Sequence, residues 1–106
     1  MEDSKNIITF EEAKQIIDNE KDYVMLDVRE EEEYSTGHAH EALLFPLGTI
    51  NADTAAKLIP SKDTAVMVYC RSGRRSRLAA NRLAKLGYKR VYDIGSLVGW
   101  PYGITW

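Results

Sequence analysis

Two short runs of apolar residues constrain the fold of this chain more than any other feature. Tyr23–Val28 (YVMLDV) and Ala65–Tyr69 (AVMVY) are almost continuously apolar, without the regular polar alternation of a strand that has one face in water. Such runs are typical of strands covered on both faces, as in a parallel sheet between two layers of helices. The sequence therefore predicts a sheet with both faces buried.

Strand and helix patterns alternate along the rest of the chain. Further strands are predicted at residues 6–9, 42–45 and 91–94, where short apolar or β-branched segments occur. A capping box, Thr9 with Glu12 three residues on, predicts the start of the first helix. Other helices are predicted over 30–34, 53–59 and 74–86. The expected fold class is α/β, with a five-stranded, mainly parallel sheet flanked by helices on both faces.

Length and composition are those of one globular domain. The chain has 106 residues, of which 44% are hydrophobic and 28% charged, and this is ordinary for a single compact unit. No apolar run approaches the roughly 20 residues of a membrane-spanning helix, so no membrane partner is expected. Residues 1–6 lack the basic and then apolar pattern of a secretory signal, which makes a cytoplasmic location the expectation.

Charge is distributed unevenly along the chain. Fifteen of the sixteen acidic residues lie in residues 1–63, whereas residues 64–92 hold eight basic residues and no acidic one. Such a block favours the binding of anions. It lacks the aromatic platform or recognition helix of a nucleic-acid-binding protein, so we expect no nucleic-acid partner. The only cysteine of the chain, Cys70, lies inside this block.

Residues 70–76 (CRSGRRS) combine a thiol with features that stabilise an anion. Cys70 directly follows the predicted strand 65–69, at the end of the sheet where ligands of parallel sheets bind. The N–H groups of a tight loop and the N-terminus of the next helix both favour negative charge there. Nearby arginines add full positive charges, and together these effects favour the thiolate over the thiol. We interpret Cys70 as a nucleophile.

Two reactions suit a thiolate held among N–H donors. One is attack on the outer sulfur of thiosulfate or of a persulfide, which leaves that sulfur on Cys70 as a persulfide. The other is attack on phosphorus, as in a phosphatase. Because the loop must fit the group that it holds, its length should distinguish the two reactions.

The segment CRSGRRS resembles the active-site loop of the rhodanese-like family, in which four residues separate the cysteine from a loop-closing arginine. Cys70 and Arg75 have this spacing. The related phosphatases use five intervening residues, commonly with histidine before the cysteine. Here Ser76 stands at the longer spacing and Tyr69 precedes the cysteine. The comparison therefore favours sulfur over phosphorus.

The resemblance extends over about residues 6–103, which we expect to form a single rhodanese-like domain, with 1–5 and 104–106 as terminal segments. Its departures are Ala39, Glu41 and Ser96, where the family usually has an apolar residue, a glycine and a glycine. The residues that carry the resemblance outside the loop are Leu26, Asp27, Val28, Arg29, Glu33, Tyr34, Gly37, His38, Ala42, Pro46, Asp93, Ile94, Gly95 and Trp100.

The resemblance implies a role for each residue of the loop. Cys70 would be catalytic, and Arg75 would close the loop. Ser72 and Gly73 would act through their backbone N–H groups. The substrate-binding loop comprises Arg71, Ser72, Gly73, Arg74, Arg75 and Ser76.

The roles of three loop residues stay open, and two residues outside the loop are expected to support it. Arg71 and Arg74 either meet the anionic donor or are solvated, and Ser76 either caps the helix or donates to sulfur. Asp27 and Arg29 would support the loop from behind. The resemblance pairs Arg29 with an acidic residue near position 33. The four consecutive glutamates at 30–33 are interpreted as a solvated face.

The expected function is that of a sulfurtransferase, an enzyme of the thiosulfate sulfurtransferase type. It would move sulfane sulfur from thiosulfate or a persulfide donor to a thiophilic acceptor through a Cys70 persulfide. The alternative is a persulfide relay or sensor serving a specific partner. A phosphatase or arsenate reductase, and a non-catalytic interaction module, are less favoured.

The expected partners are a small anionic sulfur donor such as thiosulfate and a thiol, cyanide or protein acceptor. We expect a monomer without a cofactor. No metal site is expected, because the two histidines and the cysteine do not have the spacing of zinc ligands.

Overall fold

The computed structural model of the chain describes residues 6–106. The expected α/β architecture is confirmed, while the predicted terminal segment 1–5 lies outside the described residues. The elements in chain order are α1 (Phe10–Asn19), β1 (Tyr23–Asp27), α2 (Glu31–Ser35), β2 (His38–Ala39), β3 (Leu43–Leu44), α3 (Ala52–Leu58), β4 (Ala65–Cys70), α4 (Arg74–Lys85), β5 (Arg90–Ser96) and β6 (Ile104–Thr105). None of the helices in the described part of the chain is long and apolar enough to cross a membrane.

The main sheet has four parallel strands in the order β3-β1-β4-β5. The predicted fifth strand, residues 6–9, is reduced to a single parallel bridge between Ile7 and Asp93 at the outer edge of β5. The physical reason is that Thr9 already caps α1 through the predicted capping box with Glu12, which leaves little extended chain before the helix.

A second, two-stranded sheet was not predicted. In it β2 pairs antiparallel with β6, with His38 opposite Thr105 and Ala39 opposite Ile104. Residues 104–106, expected as a terminal segment, therefore include a strand that pairs with the body of the domain. Strands of two residues carry too little periodicity to be recognised in a sequence.

The continuous apolar run of β4 is explained by its position between two cores. Val66, Val68 and Cys70 pack into a core that also receives side chains of α3 and α4. Met67 and Tyr69 pack into the core on the opposite face, with α1 and the segment around Trp100. Every residue of β4 is buried. Helices thus cover both faces of the sheet, as predicted, and Cys70 lies on the face covered by α4.

The end of β4 is shaped by two local irregularities. The register between β4 and β5 shifts at Val68/Tyr69, so that Ile94 of β5 has no partner residue in β4. The shift lies just before Cys70. Such bulges re-aim the side chains that follow them. After the strand, Gly73 adopts a φ of +95° as the N-cap of α4, a conformation that favours glycine. The chain thereby turns from β4 into α4 within three residues.

Candidate active site

The Cys70 thiol lies beneath the loop that connects β4 to α4. Its side chain is fully buried, and the backbone N–H of Gly73 donates a hydrogen bond to Sγ with an N–S distance of 2.9 Å. Within residues 6–106, no side chain caps the N-terminus of α4, so the first N–H groups of this helix, which lack helical partners, are available to an anion. The geometry places the thiol where negative charge is stabilised.

Arg75 is held by a bidentate ion pair with Glu33. Nη1 donates to Oε1 at 2.7 Å and Nη2 donates to Oε2 at 2.8 Å, while the N–H of Glu30 also donates to Oε1. These hydrogen bonds lower the pKa of Glu33 from 4.5 to about 2. The pKa of Arg75 is raised, first by Glu33 and in smaller part by the charge of Cys70. The guanidinium therefore links α2 to the segment of residues 70–76, which we call the sulfur loop.

The pairing expected for Arg29 was wrong. Arg29 pairs with Asp27 instead, with 2.6 Å between Nη2 and Oδ2, and Nη2 also donates to the carbonyl oxygen of Gly37 at 2.6 Å. In α2, Glu33 forms its ion pair with Arg75 and not with Arg29. The reason is local, since Asp27 is fully buried two residues from Arg29 and a buried carboxylate requires a charged partner. Hydrogen bonding to Asp27 raises the pKa of Arg29.

Tyr69 completes a buried network behind the loop. Its hydroxyl donates to Oδ2 of Asp27 at 2.8 Å and accepts the backbone N–H of Ala39 at 3.0 Å. Burial, with the charge of Asp27, raises the pKa of Tyr69 far above its ordinary value. The network ties the residue before Cys70 to β1 and to β2. Among the hydrogen bonds of residues 6–106, none joins Asp27 or Arg29 to the thiol.

The remaining predicted loop residues divide into exposed and buried positions. Arg71, Ser72 and Arg74 are exposed, and neither arginine belongs to the ion pairs formed within residues 6–106. Ser76 is fully buried, and its hydroxyl donates to the carbonyl oxygen of Gly73 at 3.1 Å. Of the two roles left open for Ser76, neither a bond to sulfur nor a cap is observed, because the hydroxyl secures the loop instead.

Two residues that form hydrogen bonds with the sulfur loop were missed by the sequence analysis. Glu33 was interpreted as part of a solvated face, although its place in the family signature was a signal for a role in an ion pair. Ser96 was noted only as a departure from glycine, yet its hydroxyl donates to the carbonyl oxygen of Arg71 and accepts the N–H of Val98 at 3.1 Å. Among residues 6–106, no cluster of three His, Cys, Asp or Glu side chains is arranged to hold a metal ion.

Comparison with known proteins identifies the family. The model of the rhodanese-like domain matches residues 9–101, and the chain belongs to this family. It is 36% identical over 72 residues to the thiosulfate sulfurtransferase PspE of Escherichia coli, covering 68% of each chain. It is also 34% identical over 96 residues to a sulfurtransferase of Allochromatium vinosum, covering 90% of this chain and 87% of that protein.

Solved structures and longer relatives agree with this assignment. A rhodanese from E. coli superposes with a TM-score of 0.73 at 31% identity, covering 78% of this chain and 96% of that one. YrkF of Bacillus subtilis, named as a sulfur carrier protein, is 36% identical over 87 residues. That match includes 82% of this chain but only 45% of YrkF. The chain spans 65% of a relative from Schizosaccharomyces pombe that is named as a thiosulfate sulfurtransferase.

Proposed function

We propose that this protein is a sulfurtransferase that carries sulfane sulfur as a persulfide on Cys70. The observation that carries the proposal is a single thiol at the carboxyl end of β4, inside a loop whose Gly73 N–H donates to Sγ. The names of the relatives support the same chemistry, since PspE and the A. vinosum protein are named as sulfurtransferases.

In the first half-reaction, the Cys70 thiolate attacks the sulfane sulfur of thiosulfate. A bond forms between Sγ and that sulfur, the S–S bond of thiosulfate breaks, and sulfite leaves with the bonding electron pair. The persulfide carries its negative charge one atom beyond Sγ. The N–H groups of the loop and of the first turn of α4 stabilise this charge, and the thiolate is the form of cysteine that acts as the nucleophile.

The loop residues take complementary roles in this proposal. Ser72 and Gly73 supply backbone N–H groups, and Arg75 supplies a positive charge whose position is fixed by Glu33. The exposed guanidinium groups of Arg71 and Arg74 attract the dianionic donor by long-range electrostatics. Because the thiol is fully buried, the site favours a donor that delivers one terminal atom over a bulky phosphoryl group.

In the second half-reaction, a nucleophilic acceptor attacks the outer sulfur and Cys70 leaves as the thiolate. A persulfide relay that serves one protein partner is the second candidate, favoured by the sulfur-carrier name of YrkF. Both candidates use the same persulfide and differ in the identity of the acceptor. A monomeric state, a cytoplasmic location and the absence of a nucleic-acid partner stay predictions from the sequence.

The test is thiocyanate formation from thiosulfate and cyanide by the wild type and by Cys70→Ser. Removing the nucleophile should reduce the rate on the order of 1,000-fold or more, with circular dichroism to establish that the variant is folded. Activity retained by folded Cys70→Ser would contradict the proposal. Slow wild-type turnover with cyanide, combined with fast discharge to a persulfide-accepting protein, would select the relay.

A further inference from the structure

Ser96, the last residue of β5, makes two hydrogen bonds through a hydroxyl group that a glycine would lack. The hydroxyl donates to the carbonyl oxygen of Arg71 and accepts the N–H of Val98 at 3.1 Å. Because a serine hydroxyl carries a single hydrogen, the bond to Arg71 uses the only donor of this side chain. The contact with the sulfur loop is thus made by a residue that departs from the family pattern.

The backbone around Ser96 is held in place by the sheet. Ser96 lies opposite Cys70 in the register of β4 and β5, and the N–H of Leu97 donates to the carbonyl oxygen of Cys70 at 2.9 Å. The N–H of Gly95 donates to Oδ1 of the buried Asp93 at 2.8 Å. The hydroxyl of Ser96 therefore reaches the sulfur loop from a fixed position.

Two consecutive carbonyl groups point towards the end of β5. In an extended strand, consecutive carbonyl groups point to opposite sides. Here the carbonyl of Cys70 bonds the N–H of Leu97, and the next carbonyl, that of Arg71, bonds the hydroxyl of Ser96. Because the N–H groups of Leu97 and Val98 are already engaged, the hydroxyl is the donor available to the second carbonyl.

The direction of these carbonyl groups sets the direction of the N–H groups in the same peptides. No peptide bond within residues 6–106 is cis, and in a planar trans peptide the C=O and N–H groups point in opposite directions. The N–H groups of Arg71 and Ser72 therefore point away from the end of β5. Neither donates a hydrogen bond within residues 6–106, whereas the next N–H, that of Gly73, donates to Sγ of Cys70 at 2.9 Å. Successive N–H groups that converge form a concave site for an anion.

We propose that Ser96 is a positioning residue of the sulfur loop, whose hydroxyl orients the Arg71–Ser72 peptide so that the N–H of Ser72 stabilises the persulfide. The proposal rests on the proposed function. The persulfide carries its charge one atom beyond Sγ, and the N–H of Gly73 is already bonded to Sγ itself. The unengaged N–H of Ser72 is the group that meets the charge on the outer sulfur. Ser96 acts through this peptide and not on the sulfur directly.

Single-turnover kinetics test the effect on the reaction. Sulfite release at increasing thiosulfate concentrations gives the limiting rate of persulfide formation and the concentration at which half of that rate is reached. Ser96→Ala removes the hydroxyl and should lower the limiting rate about fivefold, which corresponds to about 1 kcal/mol for one neutral hydrogen bond. The half-saturating concentration should change by less than about twofold, because the guanidinium groups that attract the donor are unchanged.

Two further variants separate positioning from a general loss of structure. Ser96→Thr keeps a hydroxyl at the same position and should retain at least about half of the wild-type limiting rate. Ser35→Ala removes a hydroxyl that donates to the carbonyl oxygen of Glu31 at 3.0 Å, outside the sulfur loop, and should change the limiting rate by less than about twofold. Circular dichroism establishes that each variant is folded.

An NMR measurement tests the hydrogen bond without depending on turnover. Protein labelled with 13C and 15N is compared as wild type and as Ser96→Ala in the absence of thiosulfate. Loss of the bond should move the 13C resonance of the Arg71 carbonyl upfield, whereas the carbonyl of Cys70, which bonds the N–H of Leu97, should stay in place. After addition of thiosulfate, the amide proton of Ser72 should shift downfield in the wild type and by a smaller amount in Ser96→Ala.

The outcomes separate this inference from the proposed function. An Arg71 carbonyl resonance that does not move, a limiting rate equal to that of the wild type, an equal loss in Ser35→Ala, or a loss that Ser96→Thr does not restore would each overturn the positioning role, even where Cys70 forms a persulfide. A change confined to the half-saturating concentration would also overturn it, since it would assign Ser96 to donor binding. Absence of a persulfide in the wild type, together with the expected shift of the Arg71 carbonyl, would overturn the proposed function and with it the catalytic consequence of the hydrogen bond.

Discussion

Replacing Glu33 with glutamine tests whether its ion pair with Arg75 stabilises the sulfur loop. The pair lowers the pKa of Glu33 from 4.5 to about 2. A fall of this size corresponds to at most about 3.5 kcal/mol, because one pKa unit is about 1.4 kcal/mol. Both side chains are 31% exposed, and solvent screening reduces such pairs to about 1 kcal/mol. We expect Glu33→Gln to lower the free energy of unfolding by about 1 kcal/mol at pH 7.

The loss of stability in Glu33→Gln should depend on pH, in a direction set by the lowered pKa of Glu33. Because folding lowers the pKa of Glu33, its contribution is fully present above about pH 4.5 and is lost as the pH falls from there toward 2. The free energies of wild type and variant, measured by urea unfolding from pH 7 to pH 3, should therefore converge in acid. Glu32→Gln, a change at the exposed neighbouring glutamate, is the control. A difference that is independent of pH, or equal in the control, would refute the reasoning.

Two further substitutions test the support of the loop. Tyr69→Phe removes a hydroxyl that bonds Asp27 and the N–H of Ala39 inside the core, and it should lower the free energy of unfolding in urea by about 3 kcal/mol. Gly73→Ala forces a side chain into a φ of +95°, and it should cost about 1–2 kcal/mol and slow persulfide formation in a stopped-flow assay.

Each of these changes has a matched control. Tyr102→Phe removes a hydroxyl for which no hydrogen bond is found within residues 6–106, and it should leave stability within about 0.5 kcal/mol. Gly48→Ala adds a Cβ that has no atom of the described residues, apart from its chain neighbours, within 4 Å, and φ is not positive there. Losses as large in the controls as in Tyr69→Phe and Gly73→Ala would show that the loop geometry is not the cause.

The parts of the fold that the sequence predicted well are those with local signals. The apolar run of Ala65–Tyr69, the capping box at Thr9 and the helical spacing after Gly73 each reflect interactions between near neighbours in the chain. The family spacing from Cys70 to Arg75 added the position of the loop. Together they were enough for the α/β class and for the location of the candidate site.

The features that were missed depend on contacts between distant segments. Arg75 meets Glu33 across 42 positions, and β6 meets β2 across more than 60. Neither contact leaves a periodic pattern in the sequence. Arg29 was assigned the wrong partner because the choice between two acidic residues is decided by burial, and Asp27 is the buried one.

Intact-protein mass spectrometry after brief incubation with thiosulfate tests the central claim most directly. The account predicts that the wild type gains the mass of one sulfur atom, about 32 Da, as a persulfide on Cys70. A reductant should remove the added mass, and Cys70→Ser should not acquire it. An unmodified wild type with thiosulfate and with other persulfide donors, or an equal gain in Cys70→Ser, would contradict the account.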